Sequence, residues 1–127
     1  MKKILIVDDQ EGWQNFNKQA MYETFGENIK IQTASSAQEG YNILLENLSE
    51  PFDIIITDMQ MEDDFAPKMA GEWLIEQAKS LSFCCRTKIV IISASPQIKN
   101  VAETYGVDYI PKSTAVASQE AIKSVFC

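Results

Sequence analysis

Ile4-Leu5-Ile6-Val7-Asp8-Asp9 and Ile54-Ile55-Ile56-Thr57-Asp58 are the stretches that decide the fold. Each is an unbroken aliphatic and β-branched run, the pattern of a strand covered on both faces rather than one. Each also ends in acid. A carboxylate at the end of a buried strand stands where an apolar run meets solvent. Asp8, Asp9 and Asp58 brought together would therefore form a compact oxygen site for a hard cation.

Outward from these runs the chain alternates between strand and helix. Lys3 to Val7 predicts the first strand, and Trp13, Phe16, Ala20 and Met21 recur at helical spacing from Glu11 to Phe25. Gly26 stands where a C-cap is expected. Ile29 to Thr33 is a second strand, followed by Ser36 and Glu39 at capping-box spacing and a helix with Ala37, Tyr41, Leu44, Leu45 and Leu48 on one face. Phe52 to Thr57 reads as the third strand, and Ala70, Trp73, Leu74, Ala78 and Leu81 mark the helix after it. Lys88 to Ile92 is the fourth strand, and Ser95 before Pro96 predicts an N-cap with Pro at the first helical position. The helix carrying Ile98, Val101, Ala102 and Tyr105 closes on Gly106. Val107 to Ile110 is then the fifth strand, and one helix from Thr114 to Phe126 completes the pattern with Ala121, Ile122, Val125 and Phe126 inward.

Composition sets bounds on function. A chain of 127 residues with 46% hydrophobic and 23% charged residues has the balance of one globular domain with a proper core. A net charge of −7 argues against direct nucleic-acid binding, which needs a surplus of Lys and Arg. The apolar run before Asp8 is too short for a membrane span or signal core, so no membrane insertion is expected. Cys84, Cys85 and Cys127 fit neither a disulfide framework nor zinc spacing, which points to a reduced, cytoplasmic protein. Histidine is absent, so carboxylates, hydroxyls and Lys112 must carry any chemistry.

Five strand and helix pairs with apolar strands predict a doubly wound five-stranded parallel sheet of the α/β class, with helices on both faces. Such sheets bind ligands outside the carboxyl ends of their strands, where strand order reverses. In the flavodoxin-like order 2-1-3-4-5, Asp8 and Asp9, Asp58, Ser93 and Lys112 all fall along that one edge. Two acids, one acid, a small hydroxyl and a lysine, each at a strand end and in this order, resemble the receiver domain of two-component response regulators. The likeness is closest to the single-domain chemotaxis-Y-like form and covers nearly the whole chain, residues 1–127 being one receiver domain.

The resemblance implies that Asp58 takes a phosphoryl group from a sensor histidine kinase or a phosphotransfer protein, catalysing its own phosphorylation and dephosphorylation. It implies Mg²⁺ as cofactor, held by the Asp9 and Asp58 carboxylates and the backbone carbonyl of Gln60, with Asp8 acting mainly through a coordinated water. Lys112 would then place positive charge on the phosphoryl oxygens, and Ser93 would hydrogen-bond them after transfer. Tyr109 matches the aromatic that turns inward as the hydroxyl moves, which would alter a surface for a downstream partner or for a phosphorylation-dependent dimer. A helix ending at Phe126 fits either a regulator that signals by docking or a receiver parted from its effector domain. Without the ion, crowding of the acids is expected to raise at least one carboxyl pKa.

Bland alternatives stand beside these roles. Asp8 and Asp9 could cap the following helix, Tyr109 could be half-buried core, and Trp13, Trp73, Met59 and Met61 read as packing alone. Glu62 occupies the place of a proline usual in the family. If Gly71 is the family's helix-opening glycine, the loop from Gln60 to Met69 is about five residues longer than usual and carries Glu62, Asp63 and Asp64. Pro111 precedes Lys112, and Ser113 follows it, so the familiar Lys-Pro turn cannot form. A haloacid-dehalogenase-like phosphatase would need a second Asp two residues after the nucleophile, where Gln60 stands, and no glycine-rich phosphate loop is present. The alternative that survives is a pseudo-receiver, an interaction module that keeps the fold without phosphorylation.

Overall fold

The structure, a computed structural model, describes residues 1–61, 68–81 and 86–126. Glu62, Asp63 and Asp64 of the long loop, and all three cysteines, lie outside the described residues.

The elements run β1 (Lys2–Val7), α1 (Glu11–Phe25), β2 (Ile29–Ala34), α2 (Ala37–Glu46), β3 (Ile54–Thr57), α3 (Ala70–Ser80), β4 (Lys88–Ser93), α4 (Ile98–Tyr105), β5 (Asp108–Pro111), α5 (Lys112–Ala117) and α6 (Gln119–Phe126). The strands form one parallel sheet in the order β2-β1-β3-β4-β5, as the sequence predicts. Strand alternation divides the core in two. Leu5, Val7, Ile55, Ile89 and Ile91 pack with Leu44 of α2, Leu74 of α3 and Val101 of α4. Ile4, Ile6, Ile54, Ile56, Val90 and Ile92 pack with Met21 of α1, Ala115 of α5 and Ile122 of α6. Each such fully buried aliphatic side chain contributes about 2 kcal/mol of burial, so both faces need their helices.

Several boundaries differ from the expected ones. β3 begins at Ile54 rather than Phe52, because the Phe52 carbonyl accepts from the Thr87 hydroxyl at 2.7 Å and the Asp53 carboxylate takes the Lys3 N–H at 2.8 Å. β5 sits one residue later than expected, ending on Pro111, which is tolerated because β5 is an edge strand. The final helix is two. Ser118 is extended, with φ −149° and ψ 111°, and its Oγ accepts from Ala121 N at 3.1 Å, so it caps α6. α4 begins at Ile98 with Gln97 as N-cap, later than the Ser95-Pro96 signal. Ser95 instead closes the preceding turn, its Oγ accepting from Gln97 N at 3.2 Å. The Ser36 cap of α2 is as predicted, accepting from Glu39 N at 3.0 Å, but Leu48 is exposed because α2 stops at Glu46, and Leu45, inside the helix, faces solvent.

Candidate functional site

The carboxyl ends of β1, β3 and β4 and the start of α5 meet at one edge. Asp8, Asp9 and Asp58 each present an oxygen there, all within 4.8 Å of one another. Asp8 and Asp58 are buried and Asp9 is exposed. Asp9, Asp58, Gln60, Ala94, Lys112 and Trp13 line an open cavity of about 300 Å³ over this cluster.

Asp58 is held from two sides. Its Oδ1 accepts from Met59 N at 2.7 Å and its Oδ2 from Lys112 Nζ at 3.0 Å. Lys112 Nζ also lies 3.3 Å from Asp8 Oδ2, close enough for ion pairing but without an aligned hydrogen bond, so that oxygen is buried with no hydrogen-bond partner. Asp8 Oδ1 accepts from Gln10 N at 2.9 Å. Burial pushes the Asp8 carboxyl above its ordinary range, the Gln10 N–H opposes this, and the Asp58 charge adds to the rise while Lys112 works against it. The expected rise therefore occurs, with desolvation ahead of repulsion as its cause.

Helix capping accounts for little of this. The N-cap of α1 is Gln10, which makes no side-chain capping bond, and neither Asp8 nor Asp9 takes that place. Three clustered carboxylates, two of them paired with one ammonium and with one buried oxygen left unpartnered, form the donor set and charge surplus that suit a hard divalent cation. Asp9 and Asp58 could ligate such an ion directly, with Gln60 at the rim.

Ser93 and Tyr109 stand further off. Ser93 is buried at the end of β4, and its Oγ accepts from Ser95 N at 3.1 Å. Among the described residues it makes no hydrogen bond to Asp58 or Lys112. Tyr109 pairs in register with Ile91 and is half-buried against the α4 side of the core.

Two residues do more than spacing alone suggested. Gly71, in the first turn of α3, donates its N–H to the Met59 carbonyl at 3.0 Å, and a Cβ there would lie 2.0 Å from the Asp58 carbonyl oxygen. Only glycine lets α3 approach the acceptor loop so closely. Trp13, read as packing alone, lies with its ring centroid 4.8 Å from Lys112 Nζ. The available signal was its place in the first turn of the helix after an acid-ended strand, where side chains lean back toward that strand's end.

Comparison with known proteins agrees with this architecture. The chain matches the family model described as response regulator receiver domain over residues 4–123. Among solved structures, a CheY-like response regulator receiver domain protein from Methanospirillum hungatei JF-1 is 27% identical, with 98% of this chain and 92% of that chain covered and a TM-score of 0.68. The phosphorylated cyanobacterial phytochrome response regulator RcpA is 18% identical, with coverage of 98% and 90% and a TM-score of 0.76. The Mn²⁺-bound form of response regulator Rcp1 is 14% identical, with coverage of 99% and 94% and a TM-score of 0.74. These last two share the fold. No curated protein sequence matches the chain.

Proposed function

The chain belongs to the response regulator receiver family, and from that premise we propose that it is a phosphoacceptor whose Asp58 takes a phosphoryl group from a phosphohistidine. The observation that carries this reading is the cluster at the sheet edge. Three carboxylates have ligand atoms within 4.8 Å of one another, two of them, Asp9 and Asp58, line an open cavity, and Lys112 Nζ stands 3.0 Å from Asp58 Oδ2.

An Asp58 oxygen attacks phosphorus, the P–N bond to the donor imidazole breaks, and the bond electrons leave with the imidazole, which takes up a proton. Mg²⁺ bound by Asp9, Asp58 and the Gln60 carbonyl, with Asp8 through water, would offset the negative charge of nucleophile and phosphate. Lys112 is placed to exchange Asp58 Oδ2 for a phosphoryl oxygen as that oxygen becomes part of an acyl phosphate. Its ammonium is a point charge on a flexible stem, suited to such a shift.

The phosphoryl group then offers the Ser93 O–H a strong acceptor, whereas in its present bond the Ser93 Oγ accepts from Ser95 N. Movement of that hydroxyl opens space for Tyr109, now half-buried, to turn inward, and the surface formed by α4, β5 and the final helical segment, α5 with α6, changes for its reader. The donor is a histidine kinase or phosphotransfer protein in the cytoplasm. The reader is a downstream protein, an effector domain or a second copy.

Incubation with Mg²⁺ and acetyl phosphate, followed by intact-mass measurement, tests the reading. The wild-type chain should gain one phosphoryl mass and Asp58→Asn none. A chain that takes up no phosphoryl group and does not respond to beryllium fluoride is a pseudo-receiver.

A further inference from the structure

Trp13 and Lys112 are 99 positions apart, yet the fold stacks one on the other. Lys112 is the first residue of α5, and Pro111 before it has φ −60° and ψ 141°. The backbone there is stiff, but the lysine stem is not, and four methylenes leave the ammonium many positions to occupy. Three groups meet it in this structure. Asp58 Oδ2 lies at 3.0 Å, Asp8 Oδ2 at 3.3 Å, and the Trp13 ring centroid at 4.8 Å. The indole is itself fixed, being half-buried and braced edge-on by Phe16 at 5.1 Å between centroids, one turn along α1.

We propose that Trp13 is a positioning residue for phosphoryl transfer, its indole face holding the Lys112 ammonium at the acceptor carboxylate. This rests on the reading of Asp58 as phosphoacceptor. An electrostatic reason favours indole over an aliphatic side chain. The ring's negative face attracts the cation without neutralising it, so the full charge remains available to an incoming phosphoryl oxygen. A third carboxylate in that place would also hold the lysine, but it would deepen the negative surplus that the phosphodonor must approach. Trp13 also borders the cavity over Asp58, so the same face limits water on one side of the ammonium.

The test compares Trp13→Phe, Trp13→Tyr and Trp13→Leu with wild type, using acetyl phosphate in saturating Mg²⁺. The rate constant at saturating phosphodonor should fall in the order Trp, Tyr, Phe, Leu, with Leu roughly tenfold slower than wild type. Mg²⁺ affinity, read by titration, should change little across the series. Rates that follow melting temperature instead of ring type, or a Leu variant as fast as wild type, would overturn the proposal. A second measurement needs no phosphorylation. In the Mg²⁺-free protein the Lys112 ε-methylene protons should be shifted upfield by the indole ring current, and the shift should vanish in Trp13→Leu. Unshifted protons in the wild type would refute the contact outright. If the wild type shows the shift but takes up no phosphoryl group, the reading of Asp58 fails while the Trp13 contact stands.

Discussion

Two lysines sit at opposite ends of the same sheet, each with its ammonium over an aromatic ring. At the amino end, Lys3 Nζ lies 4.8 Å from the Phe52 ring centroid and donates to the Asn47 side-chain oxygen and to the Glu50 carbonyl at 2.6 Å. At the carboxyl end, Lys112 Nζ lies 4.8 Å from the Trp13 centroid and faces two carboxylates. The Lys3 acceptors are neutral, and the nearby Asp53 carboxylate is already engaged by the Lys3 backbone N–H. That joint is complete and ties the loop before β3 to β1. Around Lys112 one ammonium serves both Asp8 and Asp58, with the Asp9 carboxylate close to theirs, and Asp8 Oδ2 is left without a hydrogen bond. The same device therefore closes the fold at one end and leaves charge to be neutralised at the other. Such a surplus is costly where carboxylates are desolvated, and a bound cation would offset it.

The largest expected effect bears on the carboxyl end alone. Gly71→Ala would place a Cβ 2.0 Å from the Asp58 carbonyl oxygen and 2.7 Å from Met59 Cα. Both are backbone atoms and cannot turn aside. Chemical denaturation should show a loss of about 3 kcal/mol or more, and a near-neutral result would mean that α3 does not press on the acceptor loop.

Lys112→Met tests the comparison directly. It leaves Asp8 and Asp58 buried without their shared cation and should cost about 3 kcal/mol in the Mg²⁺-free protein. Adding Asp8→Asn to that variant should recover much of the loss. Equal losses for Lys112→Met and Lys3→Met would break the contrast between the two ends.

Asp8→Asn in the wild-type background should stabilise the Mg²⁺-free protein near neutral pH by about 1 kcal/mol. The folded state raises the Asp8 pKa, chiefly through burial, above an ordinary value of 3.8. Protonated Asp8 thus favours folding, a contribution full below that ordinary value and lost as pH climbs through the raised one. The melting-temperature advantage of Asp8→Asn over wild type should therefore grow from acid toward neutral pH. A constant gap would mean that Asp8 titrates normally.

The smallest effect is that of Lys3→Met. It should cost about 1 kcal/mol, since its acceptors can turn to water at a half-exposed joint. The rate of phosphoryl uptake should not change.

Strand positions were legible to within a residue or two because strands covered on both faces must be apolar throughout. Ile4 to Val7 and Ile54 to Ile56 carry that requirement in the chain itself. The acid ends, Ser93 and Lys112 were legible for a related reason, each breaking the run where a strand meets the edge. Leu48 misled because a helical face predicts burial only as far as the helix continues, and Leu45 because the buried stripe of α2, Ala37, Gly40 and Leu44, is narrower than its apolar pattern. Ser118 was a readable cap, followed by Glu120 in the first turn of α6, but the apolar periodicity beyond it favoured one long helix. Trp13 escaped because an aromatic at core spacing looks alike whether its face meets leucine or an ammonium.

By itself the chain determined which segments are strands, which end in acid, and that those ends share an edge, since all three depend on local pattern and the hand of the crossover. Only the tertiary structure decided which oxygen of Asp8 goes unpartnered, how closely Gly71 meets Asp58, and that Lys112 rests on Trp13. Those are distances of a few ångströms between residues far apart in sequence. They follow from how helices seat on a twisted sheet, which no local pattern encodes.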